Sequence, residues 1–93
     1  MLPRILKLVN LDGYIVKCVW TTGEIRNIDF TKVVSDYPAE IRSKILNLEN
    51  FNKISLNHDA KTLIIPNIFE SNDGSNELDF CPDVLFDYSE SVF

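Results

Sequence analysis

The chain holds little of what catalysis, metal binding or covalent cross-linking is built from. It has one histidine, His58, and two cysteines, Cys18 and Cys81, with no Cys-x-x-Cys spacing, which excludes the zinc-ribbon and thioredoxin-like patterns. Its three glycines, Gly13, Gly23 and Gly74, are scattered, so there is no Gly-rich phosphate loop and no nucleophile elbow. No apolar run approaches the roughly 20 residues that a membrane-crossing helix needs. No charged-then-apolar leader precedes the first cysteine, so both cysteines are expected to be free thiols of a cytoplasmic protein. Cations are scarce as well: 9 Lys and Arg stand against 14 Asp and Glu, for a net charge of -5. Every base lies at or before Lys61, whereas Glu70, Asp73, Glu77, Asp79, Asp83, Asp87 and Glu90 follow with no base among them. Such a segment repels a phosphate backbone and argues against nucleic-acid binding. The alternative, a nucleic-acid-associated regulatory domain, requires Lys7, Lys17, Arg26 and Lys53 to line up as a basic stripe on a sheet.

What is present describes a folded domain. With 45% apolar residues over 93 positions, the chain is expected to form one α+β domain, residues 1–93, with a modest core that needs neither metal nor disulfide. Residues 2–30 read as a three-strand antiparallel meander, because the runs 4–11, 14–20 and 25–30 are short, apolar and rich in Val, Ile and aromatics. Asp12-Gly13 suits the positive φ of a two-residue turn, which sets Leu11 opposite Tyr14, Val9 opposite Val16, Lys7 opposite Cys18 and Ile5 opposite Trp20. The other face then carries Leu6, Leu8, Ile15 and Val19 with Arg4, Asn10 and Lys17, a mixed surface expected to be partly covered. Around Thr22-Gly23 two loops are open. A two-residue loop places Ile25 beside Trp20, and a three-residue loop with a bulge at Gly23 places Ile28 and Phe30 on the Trp20 face.

Beyond Phe30 the periodicity becomes helical. Thr31 is expected to cap a short turn, and Pro38 and Glu40 to open the main helix, whose Ile41, Ile45 and Leu48 form one apolar stripe against the meander. The stretch 50–52 ends that helix. A second hairpin follows, with strands at 53–57 and 62–65 around a polar turn containing His58, and Pro66 stops it. Residues 68–77 read as a flexible inserted loop. Leu78 and Phe80 return to the core, Pro82 opens a short C-terminal helix, and 89–93 are expected to fray. Tyr14, Val16, Trp20 and Leu63 should be buried.

Candidate chemistry is thin. His58 lies among Asn57, Asp59 and Lys61, the setting of a solvated turn rather than of a general base. Neither cysteine has an activating partner nearby in sequence. The 72–77 segment has the oxygen-rich look of a calcium loop without its ligand spacing. The chain is therefore expected to be no enzyme, with no catalytic residue, no cofactor, no metal and no identified small-molecule substrate. Asp79, Asp83 and Asp87 recur every four residues and are expected on one helical face, where they are the candidate residues for binding a protein partner. Asp12, Gly13, Tyr14, Trp20, Gly23, Pro82 and Leu85 are the expected structural positions. The expected function is a non-catalytic protein-interaction module or homodimer, working through an exposed strand edge or the acidic C-terminal segment.

Taken in order, Leu11-Asp12-Gly13-Tyr14, Trp20-Thr21-Thr22-Gly23-Glu24, Ile28-Asp29-Phe30 and Leu78-Asp79-Phe80-Cys81-Pro82-Asp83-Val84-Leu85-Phe86 resemble family 2442 of the bacterial domains of unknown function. Thr22 stands where that family commonly has Asp, Phe86 where it usually has Tyr, and 68–77 looks like an insertion. The resemblance implies a small α+β domain, no catalytic residues to carry over, and an antitoxin-like role in a toxin and antitoxin pair.

Overall fold

The computed structural model describes residues 2–68 and 77–92. Strands β1 (Ile5–Asp12), β2 (Ile15–Trp20) and β3 (Ile25–Asp29) form the expected antiparallel meander. Three short helices follow, α1 (Phe30–Val33), α2 (Ala39–Ile45) and α3 (Leu48–Phe51), then β4 (Ser55–Asn57) and β5 (Thr62–Ile65). The chain closes with β6 (Leu78–Asp79), α4 (Pro82–Tyr88) and β7 (Ser89–Ser91). Two antiparallel sheets result, one in the order β1-β2-β3-β7 and one in the order β4-β5-β6. This is an α+β domain built of a meander, a second hairpin and short helices. The expected flexible loop falls largely on residues 69–76, outside the described residues.

The first hairpin departs from its expected register. Asp12 pairs with Ile15, so the two loop residues are Gly13 and Tyr14 rather than Asp12 and Gly13. Gly13 takes a φ of 59°, the positive value that a primed hairpin turn requires at its first central position. The shift frees Tyr14 from the ladder: its ring packs edge-on against Phe51 with centroids 5.2 Å apart, and its hydroxyl donates to the Leu46 carbonyl. An added methyl at Gly13 would meet no atom within 4 Å, so Gly13→Ala bears on backbone strain alone. It is expected to cost about 1–2 kcal/mol, readable as a lower midpoint in urea unfolding.

Strand β1 carries two bulges. Its register against β2 steps between Ile5 and Lys7 and again between Leu8 and Asn10, leaving Leu6 and Val9 as extra residues. The inward set is therefore Ile5, Leu8 and Leu11, opposite Trp20, Cys18 and Val16. A regular strand would instead have turned Lys7 into the core; the bulges avoid desolvating that ammonium. At the second turn the three-residue loop is the one formed. Trp20 N donates to Glu24 O at 2.9 Å and Gly23, with φ 87°, donates its N–H to Trp20 O at 2.9 Å. Ile28 and Phe30 accordingly join Trp20 in the core.

The helices begin and end where short polar side chains dictate. Asp29, not Thr31, caps α1, its Oδ1 accepting from Thr31 N at 3.0 Å and from the Thr31 hydroxyl at 2.6 Å. The expected continuous helix through Leu48 is broken, because Asn47 Oδ1 accepts from Glu49 N at 3.0 Å and starts α3 afresh. Asn50 Nδ2 donates to the Lys44 carbonyl at 3.0 Å, near the end of α2. Leu48 consequently leaves the stripe and is 50% exposed, while Phe51, which lay in the expected break, is fully buried. Ile41 and Ile45 keep their places against the core.

Phe30 ties the two sheets together. It meets Phe51 and Phe80 edge-to-face at centroid distances of 5.2 and 5.0 Å, and Tyr14 extends the series through Phe51. Val16, Trp20 and Leu63 are fully buried and Tyr14 is half-buried.

The C-terminal end does not fray over 89–91. Those residues add β7 to β3, and Val92 N donates to Ile25 O at 3.1 Å. Arg26 explains it. Its Nε donates to Ser89 Oγ at 2.5 Å, one Nη to the Ser89 carbonyl at 2.7 Å and the other to Glu24 at 2.6 Å, with the guanidinium 4.3 Å from the Phe86 ring centre. Charge-assisted bonds and a ring contact at one helix C-terminus hold a segment whose own sequence has little strand propensity.

Candidate functional site: the outer face of the four-stranded sheet

The inner face of the large sheet is closed by the core, and its outer face meets solvent. The register sets its side chains in rows across the strands. Lys7, Val19 and Ile25 make one row, Asn10, Lys17, Asn27 and Glu90 the next, and Asp12, Ile15 and Asp29 the third. Leu6, Val9 and Ile15 are exposed by 49%, 46% and 41%; partial cover was expected for Leu6 and Ile15, whereas Val9 was expected opposite Val16 on the apolar face, a place that the bulges give to Leu11. Leu8 is the one apolar residue of that expected face which the bulges turn inward.

Two shallow depressions lie side by side on this face. One, of about 180 Å³, is lined by Ile15, Asn27, Asp29, Lys32, Tyr88 and Glu90; the other, of about 160 Å³, by Asn10, Asp12, Ile15, Lys17 and Asn27. Both fall below the roughly 300–1,000 Å³ of a drug-sized ligand site. Lys7, Asp12 and Lys17 make no ion pair or hydrogen bond through their side chains among the described residues. This surface offers unpaired charges and amides around small exposed apolar groups.

The residues singled out in the sequence do not assemble into a centre. Asp79 lies on β6, and only Asp83 and Asp87 belong to α4, so the three aspartates do not share a helical face. Asp83 Oδ1 is ion-paired with Arg4 at 3.0 Å, and Asp79 and Asp87 are exposed. His58 is an exposed residue of the β4–β5 turn, where Asn57 Oδ1 accepts from the Asp59 and Ala60 amides at 3.0 and 3.2 Å. The four cations considered as a stripe do not form one. Lys7 and Lys17 share the outer face, Arg26 is directed to Ser89, Glu24 and Phe86, and Lys53 sits in the turn before β4. Among the described residues no group of three His, Cys, Asp or Glu is placed to hold a metal, and no helix is long and apolar enough to cross a membrane.

Both thiols are free, Cys18 buried and Cys81 exposed at the N-cap of α4. Burial pushes the Cys18 thiol from its usual value near 9.0 up to about 12. The unfolded chain therefore loses this proton near pH 9 while the folded chain keeps it, so stability is unaffected below pH 9 and falls as pH rises toward 12. Tyr37, raised by burial and by the neighbouring Cys81, acts in the same direction at high pH. Iodoacetamide at neutral pH is expected to modify Cys81 rapidly and Cys18 only after urea unfolding, as mass spectrometry of the peptides would show. Equal labelling of the two in folded protein would contradict this placement.

The class defined by these features is a two-sheet α+β domain with one open, mixed-polarity sheet face. No family model, curated protein or solved structure matches the chain. The likeness to family 2442 accordingly rests on its motifs alone.

Proposed function

We propose that this chain is a non-catalytic protein-interaction module that engages a protein partner through the outer face of its four-stranded sheet. The observation that carries the reading is the coincidence on a single face of exposed Ile15 with Lys7, Lys17 and Asp12, whose side chains make no ion pair or hydrogen bond among the described residues, beside the exposed bulge residues Leu6 and Val9 of β1. Exposed apolar groups supply contact area, and fixed polar groups supply register and selectivity. The strand edges are weaker candidates. β1 is bulged twice and its Ile5 N–H is already bonded to Lys61 O at 2.9 Å, and β7 has only three residues. Both features blunt an edge. The described acids Glu77, Asp79, Asp83, Asp87 and Glu90 add a field that accelerates encounter with a basic surface. A cytoplasmic setting and an antitoxin-like role belong to this proposal through the free thiols and the family resemblance. Nucleic acid is not favoured, because Lys7 and Lys17 share their face with Asp12, Asp29 and Glu90.

Ile15→Lys tests the reading. The new cation stands between Asp12 and Asp29 in its row, so stability should change by less than about 1 kcal/mol. Binding should nonetheless fall at least tenfold, followed by sedimentation and by affinity capture at low and high salt. Undiminished binding by this folded variant would remove the outer face from consideration.

A further inference from the structure

We infer that the partner fitting this face is a second copy of the same chain, packed sheet to sheet and turned end for end. The inference rests on the interaction reading above and adds the identity of the occupant. Charge on the face is graded along the strands: Lys7 stands in the first row, Lys17 with Glu90 at the β7 edge in the second, and Asp12 and Asp29 flank Ile15 in the third. Such a gradient is complementary to its own reversal. A two-fold axis lying in the interface, across the strands between the Lys17 and Ile15 rows, sets β1 on β1, β2 on β2 and β3 on β3. Lys17 of one copy then lies over Ile15 of the other, between its Asp12 and Asp29. Asn10 and Asn27 face Asp12 and Asp29, where their amide N–H groups can donate to the carboxylates. Each contact occurs twice, as a two-fold interface demands. Stacking the faces in the same direction would set Lys on Lys and Asp on Asp.

The shallow depressions on either side of Ile15 are where side chains of a facing sheet interdigitate at the usual sheet separation of about 10 Å. Four strands about 4.8 Å apart and a few residues deep bury on the order of 400 Å² per copy, about half of a standard stable interface. A dimer in rapid exchange with monomer follows, favoured by high concentration; salt weakens the Lys17 contacts with Asp12 and Asp29 and also screens the mutual repulsion of two chains of net charge -5.

Sedimentation equilibrium of the whole chain, from micromolar to millimolar concentration at about 50 and 500 mM salt, reads this directly. A monomer–dimer equilibrium is expected at both salt concentrations. Lys17→Asp alone and Asp12→Lys alone each place like charges together twice, and each should sediment as a monomer. An equimolar mixture restores both pairs, since Asp at 17 in one chain meets Lys at 12 in the other, and should recover the dimer. Circular dichroism confirms that both variants, at surface positions, remain folded. Parent protein that stays monomeric throughout overturns self-association, and the Ile15→Lys capture experiment then decides the broader interaction reading by itself. A dimer insensitive to both reversals and to Ile15→Lys overturns the face as well. Loss in the single variants without recovery on mixing overturns the end-for-end pairing.

Discussion

Trp20→Ala is expected to lower the free energy of unfolding by about 3–5 kcal/mol, a large share of the roughly 5–15 kcal/mol that holds a domain of this size. Trp20 is fully buried, stands opposite Ile5 on β1 and meets Phe86 of α4 edge-to-face with centroids 5.1 Å apart. Removing the indole leaves a cavity between the sheet and α4 and deprives Phe86, which also carries the Arg26 guanidinium, of its other neighbour. Its Nε1 is buried and finds no acceptor among the described residues, so the N–H contributes a desolvation cost with no bond to offset it. Trp20→Phe should for that reason cost far less than Trp20→Ala, within about 1.5 kcal/mol. Urea unfolding followed by far-ultraviolet circular dichroism separates the two variants. An alanine variant as stable as the parent would falsify the placement of Trp20 in the core.

Phe30→Ala is expected to be equally damaging, about 3–5 kcal/mol, and for a different reason. Trp20 anchors one sheet to α4, whereas Phe30 touches Phe51 of α3 and Phe80 beside β6 at once, so its loss loosens the contact between the two sheets. Its own N–H bonds to Tyr14 O at 3.0 Å, and alanine retains that bond, which leaves the ring as the variable. A double-mutant cycle with Phe80→Ala should show coupling of about 0.5–1.5 kcal/mol beyond the buried area. Strict additivity of the two substitutions would mean that the rings do not interact. Hydrogen exchange adds a regional readout, since β5 and β6 amides should lose protection in Phe30→Ala more than those of the β1–β2 ladder.

A surface face and a core respond differently to substitution, and that difference bears on the functional proposal. Lys7, Asp12, Ile15 and Lys17 lie at exposed or half-buried positions of strands, where charge changes leave the fold nearly unaffected. Such variants isolate binding from stability. The acidic C-terminal segment does not allow the same separation throughout, because Asp83 is joined to Arg4 and its replacement also disturbs the seating of α4, although a partly exposed pair of this kind contributes only about 0.2–1 kcal/mol.

The strands of the meander, their alternation, the second hairpin and the short C-terminal helix were legible in residue pattern, because apolar periodicity and Gly or Pro punctuation act over a few neighbours. Trp20, Val16 and Leu63 as core residues follow from the same pattern. Register was not legible. Whether Asp12 or Tyr14 occupies the turn depends on Phe51 and Leu46 lying where Tyr14 can reach them, a contact across more than thirty residues. The bulges at Leu6 and Val9 answer the cost of burying Lys7, which exists only once a core covers that face. The end of the main helix turned on Asn47, whose capping competes with helix continuation; the apolar spacing of Leu48 had no information about that competition. β7 exists because Arg26 reaches Ser89 from a strand sixty-three residues away, and the local sequence of 89–91 carries no signal of it. The outer face was half visible, since Ile15, Val19, Asn10 and Lys17 were placed together by alternation alone. Its charge gradient became readable only after two bulges and a long-range strand pairing had set which residues stand in each row, because register is a property of packed strands rather than of any one of them.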